Sequence, residues 1–333
     1  MSDAAAAPFS GLTPERLLAA VEGIGYRCDG RLLAMNSYEN RVYQVGLEED
    51  APIIAKFYRP ARWTDAAILE EHAFTKELAE LEIPVVPPCR DAGVITLHHY
   101  EELRFALYPR QAGRAPELDN DDTLMWLGRF IGRIHRAGAS RAYVHRPRLT
   151  IENFGEQPSR FLLEQRFLPE DLRPAYESIA RDLLAAVRGR FAQTQDVQWL
   201  RLHGDCHPGN ILWTDAGPHF VDFDDSLTGP AMQDLWMLLS GDPDAMSRQL
   251  SKILEGYIEF MEFNPAELRL IEALRSLRMI HYAGWIARRW HDPAFPMAFP
   301  WFNTQRYWQD HILSLREQLS ALDEPPLEVH RSF

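Results

Sequence analysis

The hydrophobic pattern of the sequence changes near residue 110, and this change constrains the fold more than any other feature. Before it, short runs rich in β-branched and aromatic residues alternate with turn formers, which is typical of strands, and one long segment, 64–84, has helical periodicity. After it, apolar residues recur at helical spacing over several segments. These segments are 120–140, 160–195, 246–262, 265–290 and 304–322. The sequence therefore predicts an α+β chain, with a small antiparallel sheet and one long helix followed by a large, mainly helical part.

The first part contains several strand-like runs. They are 31–35, 40–47, 52–58, 91–97 and 102–109. A helix over 13–23 precedes them, since Thr13 is a suitable N-cap and a proline follows it at the first helical position. The Pro, Gly and Arg residues of 109–117 are typical of a boundary. We therefore expect an N-terminal ATP-binding lobe at 1–110 and a C-terminal catalytic and substrate-binding lobe at 111–333.

Composition and charge argue against several classes of protein. A chain of 333 residues is long enough for about two domains. Its net charge of −13 argues against nonspecific binding to nucleic acid or to an anionic membrane. Three scattered cysteines supply no disulfide framework, no apolar run approaches the ~20 residues that span a bilayer, and the first residues carry an acid where a signal peptide is basic. We expect a cytoplasmic, monomeric protein that binds neither nucleic acid nor membrane.

The segment "LHGDCHPGNILW", residues 202–213, concentrates side chains capable of chemistry. Asp205 lies between His203 and His207, and Asn210 follows. Strand-like residues lead into and out of this loop, and "VDFDD" comes after one more strand, so Asp222 is expected at a neighbouring hairpin edge. Carboxylate and amide oxygens are hard ligands that suit Mg²⁺. The spacing therefore predicts a magnesium-dependent site.

The order of these groups matches that of protein kinases, in which an Asp is the catalytic base and a later Asn and Asp hold metal. Lys56, in the predicted strand 52–58, is placed to reach ATP phosphates. Glu70 and Glu71 on the following helix are candidates to pair with it. Glu71 is the better candidate because it precedes Leu78 by seven residues and should share the inward edge of that helix.

Several longer segments carry a resemblance to a known family. They are "MNSYENRVYQV", "KFYRPARWT", "LHGDCHPGNILW" and "VDFDDSLTGPAMQDLWML". Together they resemble the stress response kinase A family, within the aminoglycoside phosphotransferase and choline kinase branch of the protein-kinase-like fold. The resemblance runs from about residue 30 to "DPAFPMAFPW" at 292–301. It implies a bilobal kinase fold that uses ATP and Mg²⁺.

The resemblance also implies roles for the residues of the polar loops. Asp205 corresponds to the catalytic base, and Asn210 and Asp222 correspond to the Mg²⁺ ligands, with Asp222 also counted as catalytic. His207, two residues after the base, is placed to approach a transferred phosphoryl group. No APE-type activation segment follows Asp222, which argues against regulation by activation-loop phosphorylation.

The resemblance also implies that a second group of residues binds ATP. Lys56 corresponds to the ATP-phosphate lysine and Glu71 to its partner. Asn36, Ser37 and Asn40 lie in the turn between the first two strands, where the ATP contact of the family falls. That turn has no GxGxxG sequence, so polar side chains must replace some backbone contacts with phosphate.

The resemblance implies a serine/threonine protein kinase that phosphorylates itself and serves in bacterial stress response, with ATP and a protein as partners. A small-molecule hydroxyl kinase is the main alternative, because acceptor pockets are not encoded in motifs. A metal hydrolase using His203, Asp205 and His207 needs further ligands at matching spacing. A pseudokinase is disfavoured because the expected catalytic residues are present.

Three other features have more than one interpretation. Asp234 either steadies the catalytic loop or complements the dipole of a helix that starts beside it. Asp224 and Asp225 either lie next to the metal or, more simply, are explained by turn chemistry. The aromatic segment 279–302 is typical of core packing, although it and two adjacent arginines within it could line an acceptor pocket.

Overall fold

The computed structural model describes residues 8–89 and 95–329. It comprises two compact units. The first unit contains the residues up to Pro116 together with Tyr143–Arg146 and Pro208–Asp225, and the second contains Glu117–Ala142, Pro147–His207 and the residues from Ser226 onward. Residues 208–225 therefore belong with the sheet-containing unit, although the sequence placed them in the part after residue 110. The assignment of ATP binding and catalysis to separate lobes remains a prediction.

The first unit is built on a five-stranded antiparallel sheet, as predicted. Its strands are β1 (Cys28–Ala34), β2 (Arg41–Leu47), β3 (Ile53–Phe57), β4 (His98–Tyr100) and β5 (Leu103–Pro109), in the order β1-β2-β3-β5-β4. The fourth strand begins after the predicted run 91–97, of which residues 91–94 lie outside the described residues. It pairs with β5 across a tight turn at Glu101, because a short turn is enough to join two antiparallel strands.

Two helices accompany this sheet, α1 (Pro14–Glu22) and α2 (Asp65–Glu80). Thr13 and Thr64 are their N-caps, and each side chain accepts a hydrogen bond from the backbone three residues later. The apolar face of α1 packs on the sheet because helical spacing brings its buried residues to one side. The buried core there includes Leu17, Val21, Val45, Phe57 and Phe105.

A hairpin of β7 (Ile211–Thr214) and β8 (Gly217–Phe220) completes the first unit. The backbone N–H of Phe220 donates to the carbonyl of Pro84 at 2.8 Å, and Arg114 and Trp213 exchange backbone hydrogen bonds. These bonds tie the hairpin to the rest of the unit, which is the physical reason that residues 208–225 depart from the sequence-based division.

The second unit is mainly helical, as predicted. Its helices are α3 (Asp121–Gly138), α4 (Gln157–Glu164), α5 (Arg173–Gln193), α6 (Met232–Trp236), α7 (Pro243–Tyr257), α8 (Ile271–Arg288), α9 (Ala294–Ala298) and α10 (Gln305–Ala321). The predicted helix 160–195 is two helices, because Arg166 adopts a left-handed φ of 55° just after α4, and Pro174 lies in the first turn of α5, where its missing N–H is tolerated. Across the described residues, no helix combines the length and the apolarity needed to cross a membrane.

Two features of the second unit position its polar loop. Strand β6 (Trp199–Leu202), which leads into the loop, pairs with β9 (Leu227–Pro230), a strand that turn-like residues hid in the sequence. Helices α3 and α7 can approach closely because Gly128 on α3 has no side chain. A Cβ at that position would collide with the backbone carbonyl of Ile253 on α7. This close packing fixes the side chains that α3 and α7 present to each other.

Candidate active site

Lys56 is a buried, charged lysine on the central part of the first unit's sheet. It lies in β3 between β2 and β5, and its side chain is 9% exposed. Its Nζ atom lies 2.8 Å from Asp222 Oδ1 and 3.3 Å from Asp224 Oδ1. Burial works to lower the pKa of Lys56, but the two carboxylates outweigh it and hold that pKa above its usual value. The structure thus brings together the predicted lysine and the predicted metal ligand.

Asp222 and Asn210 lie at the same end of the β7–β8 hairpin. Ile211 pairs with Phe220, and the backbone N–H of Val221 donates to the carbonyl of Asn210 at 3.0 Å. Asp222 follows with a φ of 59°, in the left-handed region that a non-glycine residue rarely adopts. Such strain costs roughly 1–3 kcal/mol and is concentrated at functional sites.

The donor chemistry at this hairpin end fits Mg²⁺. Asp222 is 54% exposed, and the backbone carbonyl of Asn210 is hydrogen-bonded to Val221, the residue before Asp222. Mg²⁺ is usually bound by one or two protein oxygens and completes its octahedron with phosphates and water. Asn210 and Asp222 are therefore the residues that could hold it.

Asp224 has buried contacts that the sequence did not predict, because we favoured turn chemistry as its explanation. Its side chain is 5% exposed, forms ion pairs with Lys56 and Arg62, and accepts a hydrogen bond from Asn40 Nδ2 at 3.1 Å. Arg146 donates to its backbone carbonyl. Burial works to raise the pKa of Asp224, but the charges of Lys56, Arg62 and Arg146 hold it below the usual range. The signal was the presence of three acids within "VDFDD", more than a turn alone needs.

The polar turn between β1 and β2 has one buried and two more accessible side chains. Asn40 is buried, and its Oδ1 accepts the backbone N–H of Arg59 at 3.0 Å while its Nδ2 binds Asp224. The Asn40 amide therefore links the turn between β1 and β2 to Arg59 and Asp224. Ser37 is half-buried and donates to the carbonyl of Asn40 at 3.3 Å, and Asn36 is exposed. Of the three residues predicted to contact ATP, Asn36 and Ser37 are accessible to a ligand.

Glu71 is buried on α2 but is not an ion-pair partner of Lys56. Within residues 8–89 and 95–329, Lys56 has ion pairs with Asp222 and Asp224, and Glu71 acts on it only through its field. Burial raises the pKa of Glu71 to about 7, against the opposing charges of Lys56 and Arg146. The predicted Lys56–Glu71 pair is therefore not formed in this structure, because the two aspartates occupy the lysine.

Glu70 has a structural role. Its carboxylate accepts the backbone N–H groups of Val144, His145 and Arg146 at 2.6, 2.7 and 2.8 Å. Charge-assisted hydrogen bonds of this kind are strong. Glu70 thereby holds the segment 143–146 within the first unit and positions Arg146 beside Asp224.

The loop after β6 in the second unit is held by Asp234. Its buried carboxylate accepts the backbone N–H groups of His203 and Gly204, each at 2.9 Å. It also lies 3.1 Å from His135 Nε2, and His135 Nδ1 lies 2.9 Å from the hydroxyl of Tyr257. Of the two interpretations of Asp234, the structure shows the one in which it steadies the loop. His203 is fully buried there, as expected of a structural histidine.

Asp205 projects from this loop between two nitrogen-bearing side chains. Arg278 Nη1 lies 2.7 Å from its Oδ1, and His207 Nε2 lies 3.5 Å from its Oδ2. Burial works to raise the pKa of Asp205, but the hydrogen bond to His207 and the charge of Arg278 hold it well below its usual range. Burial raises the pKa of the neighbouring Cys206 thiol, so this cysteine stays protonated. Asp205 is therefore ionised at neutral pH and has a carboxylate able to accept a proton.

Arg278, on α8, was missed by sequence reasoning, which considered Arg288 and Arg289 instead. Those two lie over aromatic rings, Arg288 at 5.4 Å from the Phe161 centroid and Arg289 at 5.2 Å from that of Trp285. Nothing in the local sequence around Arg278 distinguishes it, because its contact with Asp205 depends on tertiary packing.

Over 321 residues the chain is 43% identical to stress response kinase A of Escherichia coli (strain K12), covering 96% of this chain and 97% of that protein. Residues 32–271 match the phosphotransferase enzyme family. The chain belongs to this family, in its stress response kinase A group. Serine/threonine protein kinase RdoA of Salmonella typhimurium is similar to it at 42% identity over 96% of this chain and 97% of its own length.

Solved structures of distant relatives share the fold. An amicoumacin kinase has a TM-score of 0.73 at 18% identity, with 94% of both chains covered. A microcompartment-associated aminopropanol kinase has a TM-score of 0.70 at 16% identity, covering 94% of this chain and 99% of its own. The kinase-like α+β fold and the phosphotransferase class expected from the sequence are therefore confirmed. The protein is a kinase.

Proposed function

We propose that this kinase is an ATP- and Mg²⁺-dependent serine/threonine protein kinase that phosphorylates itself and acts in stress response. The observation that carries the proposal is the buried Lys56 ammonium held by Asp222 and Asp224. A cation beside an accessible carboxylate is suited to bind phosphate oxygens together with a divalent metal. The preference for a protein acceptor rests on the relative named serine/threonine protein kinase.

The first unit supplies the groups for the nucleotide. Lys56 would bind phosphate oxygens, and the accessible turn residues Asn36 and Ser37 would contribute polar contacts. Asn210 and Asp222 would hold Mg²⁺, which when bound neutralises charge on the phosphates. Asp224 keeps Lys56 charged and in place, because it stays ionised and buried beside the ammonium group.

The loop after β6 supplies the base. As the acceptor oxygen forms its bond to the γ-phosphorus and the bond from that phosphorus to the ADP oxygen breaks, Asp205 accepts the hydroxyl proton. The loop that carries Asp205 is anchored by Asp234, so the carboxylate is held before the acceptor arrives. His207 orients the second carboxylate oxygen.

The test is the intact mass of the purified protein after incubation with Mg·ATP, followed by identification of the modified residue. We expect phosphoserine or phosphothreonine in the wild type and in Asp215→Asn, which removes an exposed acid in the β7–β8 turn. Asp205→Asn should gain none. Unmodified wild type that rapidly phosphorylates one hydroxyl metabolite from a panel would instead establish a small-molecule kinase.

A further inference from the structure

Each oxygen of the Asp205 carboxylate lies near a nitrogen of another side chain, and the contact with Arg278 at Oδ1 is an ion pair. Arg278 reaches Oδ1 from α8 at 2.7 Å, and His207 stands 3.5 Å from Oδ2. A hydroxyl group that is to give its proton to Asp205 must therefore compete with a guanidinium at Oδ1. Because ion pairs with arginine are strong when partly buried, this competition affects which acceptors react.

Arg278 pairs with a single acid among the described residues. In the part of the chain that the structure describes, Asp205 is the one acid within ion-pair distance of Arg278. By contrast, Arg275, one turn earlier on α8, has its own partner, Glu272, at 3.6 Å. The Arg278 side chain is 40% exposed and that of Asp205 is 21% exposed, so Arg278 is the more accessible member of the pair. A negatively charged group on an acceptor can compete with Asp205 for the Arg278 guanidinium.

We propose that Arg278 is a specificity-determining residue that binds an anionic group next to the acceptor hydroxyl and thereby releases Asp205 to take the hydroxyl proton. The inference rests on the proposed function and names its acceptor class: a serine or threonine flanked by a carboxylate or phosphate side chain. A neutral acceptor would leave the guanidinium on the base. The incoming anion instead exchanges one ion pair for another, and the planar guanidinium suits both carboxylate and phosphate.

Arg278 would recognise a single negative charge close to the acceptor hydroxyl, and not the net charge of the acceptor protein. A net charge of −13 disfavours association with a uniformly acidic protein, since the long-range field is repulsive. A single arginine beside the base can still select one acid within a few residues of the hydroxyl, because short-range pairing outweighs a screened field.

The experiment compares kcat/KM for four serine peptides of equal length, with neutral, aspartate, phosphoserine or lysine residues next to the serine. The enzymes are the wild type, Arg278→Ala, Arg278→Glu and the control Arg306→Ala, whose side chain is 90% exposed on α10. We expect the wild type and the control to prefer the aspartate or the phosphoserine peptide by about 10-fold or more, the range of one charged hydrogen bond. The stronger of these two identifies the anion.

Arg278→Ala should lose that preference and phosphorylate the neutral peptide at least as fast as the wild type. Arg278→Glu should favour the lysine peptide. Equal use of all peptides by the wild type, or retained preference in Arg278→Ala, overturns the inference. So does an equal loss of rate on every peptide together with slower ATP hydrolysis in the absence of acceptor, since Arg278 would then serve the transferred phosphate. A wild type that phosphorylates neither peptides nor itself refutes the proposed function first.

Discussion

Replacement of Asp234 by Asn should uncouple the loop of Asp205 from its anchor. The buried Asp234 carboxylate accepts three hydrogen bonds, from the backbone of His203 and Gly204 and from His135. A carboxamide places a donor where one of these donors points, and its remaining oxygen carries no charge. Losing one charged hydrogen bond and leaving a buried N–H without an acceptor costs about 2–4 kcal/mol. Because the loop carries the base, kcat should fall by at least about 10-fold.

Urea unfolding followed by circular dichroism measures the stability change, and phosphate transfer measures kcat. The matched control is Asp244→Asn, which neutralises an exposed acid in the first turn of α7. The control should lose less than about 0.5 kcal/mol. Mg·ATP affinity should be unchanged in Asp234→Asn, since Asp234 belongs to the second unit and the nucleotide groups to the first. The reasoning is refuted if Asp234→Asn unfolds at the wild-type urea concentration and keeps wild-type kcat.

Two further perturbations test the first unit. Lys56→Met should weaken ATP binding by at least about 10-fold, measured by calorimetry, because a charged contact with phosphate is lost; unchanged affinity would place the phosphates elsewhere. Glu71 has a pKa raised to about 7 by burial, so it favours folding below its unfolded pKa and loses this contribution as pH rises through about 7. Between about pH 5 and 8, the free energy of unfolding should therefore fall less in Glu71→Gln than in the wild type. An equal fall in both proteins would show that Glu71 is not buried as described.

Local patterns predicted the elements well because local chemistry determines them. Thr13 and Thr64 cap helices as their positions indicated, and the alternating run around Lys56 forms the central strand β3. The interruption between α4 and α5 was also readable, since Pro174 is a local signal of a helix start that the periodicity of 160–195 concealed.

Pairings between distant segments could not be predicted in the same way. Asp224 is buried because Arg62 and Lys56, far away in the sequence, surround it with charge. Arg278 meets Asp205 because α8 packs beside the loop, and the residues around Arg278 carry no motif. The motif identified the loop residues, while their partners depend on tertiary packing.

The central claim is that Asp222 serves Mg·ATP binding and Asp205 serves proton transfer. Titration calorimetry with Mg·ATP, run beside phosphate transfer on the same protein samples, tests it most directly. Asp222→Ala should lose both binding and turnover, whereas Asp205→Asn should keep the wild-type affinity and lose about 10²–10⁴ in kcat, the usual contribution of a positioned base. Full Mg·ATP affinity and turnover in Asp222→Ala, or a large loss of nucleotide affinity in Asp205→Asn, would contradict the account.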